Sequence, residues 1–143
     1  MGFTAGFVAD LGRYLQANQL GTWSDTGQFT PGQTGVTDSI VPPSPDRLIV
    51  LTPYLPDDDP TQAETTLWVQ LRTRGTKDVR TSSDAQDAAF DLLHNMPRTD
   101  IGGVTVAGCW RRSGAYLGAD GNGRHSHTSN YEFRLHRPSP HRR

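Results

Sequence analysis

Leu67-Trp68-Val69-Gln70-Leu71-Arg72-Thr73-Arg74-Gly75 puts Leu67, Val69 and Leu71 on one face and Gln70, Arg72 and Arg74 on the other. That period of two is the mark of a half-buried strand. Downstream, Ser83 followed three residues later by Gln86 has capping-box spacing, so a helix is expected over 83–96, stopped by Pro97. Val104–Ser113 and Thr128–His136 then read as a hairpin. Val104, Val106 and Trp110 are assigned to one side, and Thr105, Ala107, Cys109 and Arg111 to the other. The glycine-rich stretch Gly114–His127 between them has turn composition and is expected to project as a long loop.

Upstream, Phe3, Phe7, Leu11 and Leu15 recur every four residues, one apolar stripe of an amphipathic helix over 3–18. Residues 22–46 are rich in Gly, Thr, Pro and Ser, with Trp23 and Phe29 as the only large anchors. They read as an extended arm with room for one short strand. Arg47–Tyr54 is apolar on both faces around Leu48-Ile49-Val50-Leu51, as a central strand is, and Pro53 and Pro56 are expected to end it. The resulting expectation is one α+β domain over 1–143: a four-stranded, mostly antiparallel sheet with two helices on one face. A flexible basic tail, 138–143, follows.

The chain has 143 residues and a formal net charge of −1, which supplies no global attraction for nucleic acid. Its longest apolar run has four residues against the roughly 20 a membrane helix needs, so a soluble, intracellular protein without membrane contact is expected. Cys109 is the only cysteine and cannot form an internal disulfide. His125 and His127 share a spacing that would point both rings one way, but a third metal ligand is not evident nearby. Asp120-x-Asn122 lacks the closing glutamate of a calcium loop. Gly121-x-Gly123 lacks the helix and Lys-Ser/Thr pair of a phosphate cradle. With no nucleophile motif either, neither enzyme activity nor a cofactor or metal is expected. Arg111, Arg112, Arg124, His125 and the tail arginines could neutralise phosphates without reading sequence, so a small DNA-binding module is one alternative.

The chain resembles the small tail-terminator proteins of long-tailed phages, the "minor capsid protein" family of actinobacterial phages. The resemblance runs through Leu71-Arg72-Thr73-Arg74-Gly75, Asp78-Val79-Arg80, Asp87-Ala88-x-Phe90-Asp91-x-Leu93-His94 and Gly102-Gly103-Val104. It continues in Trp110-Arg111-Arg112-Ser113-Gly114-Ala115, Asp120-x-Asn122-Gly123-Arg124, and Asn130-Tyr131 through Arg137-Pro138, and covers nearly the whole chain. It implies a structural virion protein at the head-proximal end of the tail, assembled in the host cytoplasm. The implied assembly is a ring of typically six copies on the last ring of the tail tube. It would stop polymerisation, meet a head-completion protein, and let DNA pass through its lumen. A head–tail connector or stopper is the alternative of the same class.

A closed ring needs two different patches on each subunit. The acidic Asp57, Asp58 and Asp59 and the basic Arg72, Arg74, Arg111 and Arg112 are candidates for these. Tyr116, Asp120, Asn122, Arg124, His125, Trp23 and Phe29 are candidates for contact with tube or connector.

Overall fold

The computed structural model describes residues 1–141, apart from the side chain of Leu55. In chain order it contains α1 (Phe3–Ala17), β1 (Thr22–Trp23), β2 (Gly35–Asp38), β3 (Leu48–Asp58), β4 (Glu64–Arg74), α2 (Val79–Leu93), β5 (Thr99–Ile101), β6 (Val104–Ala119) and β7 (His125–His136). The protein is mostly sheet. One seven-stranded mixed sheet runs β1-β2-β3-β4-β7-β6-β5, curled into a half-barrel. The expected four-stranded sheet is therefore incorrect. The four long strands are antiparallel to one another, while β1 and β2 add parallel to β3 and β5 adds antiparallel at the far edge. The three extra strands have two to four residues, too few to display a period.

The long projecting loop is also corrected. β6 and β7 stay paired from Val106↔Leu135 to Ala119↔His125, leaving a tip at 120–124. There Asp120 Oδ1 accepts from the backbone N–H groups of Asn122 and Arg124, and Gly123 takes φ +76°. Three register shifts interrupt the ladder, between Val106 and Gly108, Arg111 and Ser113, and Tyr116 and Gly118. The first reverses the expected facing: Cys109 joins Val106 in the core, and Trp110 turns to the opposite face.

β3 does not end at its prolines. It passes through Pro53 and Pro56 to Asp58, with a bulge between Tyr54 and Asp57. β2 covers only Leu48–Leu51 of its outer edge, so beyond that point a missing N–H has no ladder bond to break. The helix expected over 83–96 is α2 and begins a turn earlier. Asp78 is its N-cap, accepting from Arg80 N–H at 3.0 Å. It stops at His94, before Pro97.

Both helices lie on the face carrying Leu67, Val69, Leu71 and Thr73. Phe7 of α1 meets Phe133 edge-on at 5.5 Å. Gln86 of α2 donates to the Leu71 carbonyl and Thr73 Oγ1 and accepts from Ser129 Oγ. Those three bonds make burial of an amide tolerable. Phe7, Val8, Leu11 and Leu15 of α1 are all buried, each worth about 1.5–3 kcal/mol. Trp23 lies so close over Gly12 that a Cβ there would collide with its ring.

Candidate protein-interaction site

The face opposite the helices is the side of β4 that carries Trp68, Gln70, Arg72 and Arg74, and it holds a polar and aromatic network. Tyr54 Oη donates to Asn130 Oδ1 at 2.7 Å, and Asn130 Nδ2 donates to Ser113 Oγ at 2.9 Å. Glu132 accepts from Arg112 Nε at 3.0 Å and from Arg134 Nε at 3.4 Å. Both guanidiniums also lie over the Trp110 ring, at 5.3 and 5.2 Å from its centre. Exposed arginines held in fixed poses over a half-buried tryptophan are what protein interfaces use. Tyr54, Trp110, Glu132 and Arg134 are not among the interface or axial-contact candidates read from the sequence. The bulge parity that brings them together has no sequence signature.

The suggested basic residues divide into two groups. Arg74 is 5% exposed: Nη2 donates to the carbonyls of Pro42 and Pro45 and Nε to that of Asp46. Burial and the nearby Arg124 lower its pKa to about 10. Arg124 is also buried, donating from Nε to Asp120 and from Nη1 to the Pro43 carbonyl and Asp46. These two arginines fasten the end of the 22–46 arm, including the cis Ser44–Pro45 peptide, to β4 and the hairpin tip. Arg72, Arg111 and Arg112 are not enclosed in this way. Arg72 Nη2 reaches Ser126 Oγ at 3.5 Å, Arg111 lies 4.2 Å over Phe90, and Arg112 is exposed. Arg72 Nε and Thr128 Oγ1, on cross-strand partners, are buried without a hydrogen-bond partner among the described residues.

Asp57 and Asp58 are exposed on the last residues of β3. Asp58 accepts from Thr65 Oγ1, and Asp59 organises the turn by accepting from Thr61 and Gln62. Of the suggested axial contacts, Tyr116 is 53% exposed and donates to or accepts from His125 Nδ1 at 2.7 Å. Asp120, Asn122 and Arg124 form the hairpin tip itself. Trp23 packs on α1 and its backbone N–H donates to Gln16 Oε1, while Phe29 lies partly buried against Gly35. The structure thus gathers Tyr116, the tip and His125 at one end of the sheet and leaves Asp57–Asp59 at the other. Arg142 and Arg143, part of the expected basic tail, lie outside the described residues.

The chemistry of the remaining polar groups is structural. His127 Nδ1 pairs with the buried Ser82 Oγ, and burial, then His125, holds its pKa below the usual histidine value. Cys109 is fully buried and its thiol is pushed up by burial, which leaves it unreactive. No group of three or more potential metal ligands occurs among the described residues. No described helix is long and apolar enough to cross a membrane.

No curated protein matches the chain. The family model for bacteriophage tail terminator protein, in contrast, matches residues 14–137, from the second half of α1 to just past the end of β7. That span takes in every strand of the sheet, the clamped arm and both ends where the exposed groups collect. The chain belongs to the bacteriophage tail terminator protein family.

Proposed function

We propose that this tail protein forms a ring, of six copies on the family resemblance, that closes the end of the phage tail tube. In this role it stops tube polymerisation and presents the surface that joins tail to head. The membership in the terminator family supports a structural protein of the virion tail that contacts other tail and head proteins. The observation that carries the ring is the separation of two unlike patches on opposite edges of the long-stranded unit. Asp57 and Asp58 stand on β3 at one side, and Arg111 and Arg112 stand on β6 at the other. A rotation that closes on itself needs such a heterologous pair, because each copy must offer one patch to each neighbour. Arg111 and Arg112 supply the basic partner surface for the acidic end of the next copy. Arg74 is engaged by the arm within its own subunit.

Tyr116, Asp120, Asn122, Arg124 and His125 lie at one end of the strands, so the hairpin end is the axial surface toward tube or head-completion protein. Trp23 and Phe29 act there by fixing the arm. DNA passes through the lumen without a dedicated site. Electron microscopy of particles from a phage with this gene disrupted tests the function. Overlong or irregular tails unjoined to filled heads are expected. Tails of normal length that merely fail to attach would instead make the chain a connector.

A further inference from the structure

Ile40 and Val41 stand 68% and 39% exposed where the arm turns back from β2, and Leu117 stands 50% exposed near the end of β6. Outside that half of β6 no strand lies among the described residues. Tyr116 beside Leu117 is engaged within the subunit, bonded to His125 Nδ1 and packed on the His125 and His127 rings. Ile40 and Val41 form a knuckle fixed at both ends. Ser39 N–H donates to the Leu51 carbonyl at 3.0 Å, and the Pro42 carbonyl accepts from Arg74 Nη2 at 2.8 Å.

The strand ladders put the two margins of the sheet on one scale. Leu51 lies level with Leu71, Ser129 and Gly114, and Leu48 lies level with Arg74, Ser126 and Gly118. The knuckle, tied to Leu51 and to the Arg74 side chain, falls between these two levels, and on β6 Leu117 falls between the same two. The charged candidates lie on the other side of the Leu51 level: Asp57 is level with Gly108, and Arg111 with Pro53. Each margin therefore carries apolar side chains toward the hairpin end and charge below them. A rotation about an axis along the strands leaves height unchanged, so it brings the knuckle of one copy to Leu117 of the next.

We propose that Ile40 and Val41 of each copy pack on Leu117 of the next. They form the apolar half of the lateral contact whose charged half is Asp57 and Asp58 against Arg111 and Arg112. The inference rests on the ring reading above, with the hairpin end facing along the axis. Side chains make this contact, not strand addition. The N–H groups of Ser39 and Ile40 are taken within the chain, and Pro42 and Pro43 have none, so the segment lacks the run of donors a strand needs. The clamp on the arm gains a purpose here. Arg74 on the Pro42 carbonyl and Arg124 on that of Pro43 hold the knuckle in one pose, which lowers the ordering cost of association.

Cross-linking in finished tails tests the proposal. Ile40→Cys with Leu117→Cys, both at exposed positions, should fold normally, and a short bis-maleimide should join copies head to tail into a ladder extending beyond dimers. Cys109 is fully buried and gives no background. Each single variant should leave the copies unjoined. Should the pair fail to enter tails, Val41→Cys with Leu117→Cys repeats the test. Ile40→Asp would place a charge in the contact, so it should lower incorporation into tails by about tenfold or more with the unfolding midpoint unchanged. Rings at tail ends without a ladder, or undiminished incorporation of Ile40→Asp, would overturn the proposal and leave the ring standing. Cross-links from position 40 to a different virion protein would overturn it too, as would dimers from a single variant, the mark of a two-fold contact. Tail ends without a ring would remove the ring reading and this inference together. The terminator reading fails by a separate readout, unchanged tail length after gene disruption.

Discussion

Arg124 Nε lies 2.9 Å from Asp120 Oδ2, and the same guanidinium reaches Asp46 at 3.3 Å, so one side chain joins the hairpin tip to the end of the arm. Asp120 is itself held by two backbone N–H groups, which with Arg124 keep its carboxyl below the usual carboxylate range. The tip is therefore preorganised around the arginine. The chain between β2 and β3, which has no ladder of its own, depends on it.

Removing that guanidinium leaves the Pro43 carbonyl and two carboxylates without their donor. Arg124→Ala should destabilise the fold by about 1.5–3 kcal/mol, the range for charge-assisted hydrogen bonds. Urea unfolding measures it, and limited proteolysis should show faster cleavage within 38–46. Unchanged proteolysis would mean that Arg74 alone holds the arm.

His127 makes stability depend on pH with a definite sign. Its folded pKa lies below the unfolded value of about 6.5, because burial and His125 disfavour the cation. The unfolded chain therefore takes up the proton first as pH falls. The contribution is fully present above about pH 6.5, is lost as pH falls toward the folded pKa, and levels off below it. Thermal midpoints should drop between pH 7.5 and 5. His127→Gln should flatten the His127 part of that slope, and an identical slope in the variant would assign it to other groups.

Much of this architecture is legible from residues that the fold buries. β4 announces itself because Leu67, Val69 and Leu71 face the core while the residues between them do not. The second half of β6 has no such pattern: Arg112–Leu117 is exposed throughout and is held by backbone pairing with β7, to which composition is blind. Gly and Ser there read as turn, though the turn begins only at Asp120. Proline reads as a strand terminator in β3 because sequence does not reveal that the outer edge beyond Leu51 is unpaired. Arg72 and Arg74 look equivalent in sequence, two apart on one face. Only the returning arm distinguishes them, by enclosing Arg74 and leaving Arg72 half-buried.

Two glycines of α1 should respond to the same substitution with opposite signs. At Gly6 a Cβ would meet nothing within 4 Å, so Gly6→Ala should stabilise by up to about 1 kcal/mol through helix propensity. At Gly12 the new Cβ would run into the Trp23 ring. Overpacking of that kind costs about 1–3 kcal/mol, which outweighs the propensity gain, so Gly12→Ala should lower the unfolding midpoint. A stabilised Gly12→Ala would show that Trp23 moves aside at little cost.

Reversing the acidic end tests the subunit contact apart from the fold. Asp57 and Asp58 are exposed, but Asp58 and Asp59 also hold Thr65, Thr61 and Gln62, so a triple reversal would disturb the turn as well as the surface. Asp57→Lys alone leaves those bonds in place and changes the local charge by two. Against Arg111 and Arg112 of a neighbouring copy it replaces attraction with repulsion, an effect that salt should screen. Ring assembly should therefore weaken in Asp57→Lys, recover partly at high ionic strength, and recover further when Arg112→Glu is added. Analytical ultracentrifugation or electron microscopy of tail ends reads this directly. Arg112→Glu also removes a donor to Glu132, so its own effect on stability must be measured as the control. A ring indifferent to Asp57→Lys at low salt would remove the acidic end of β3 from the interface.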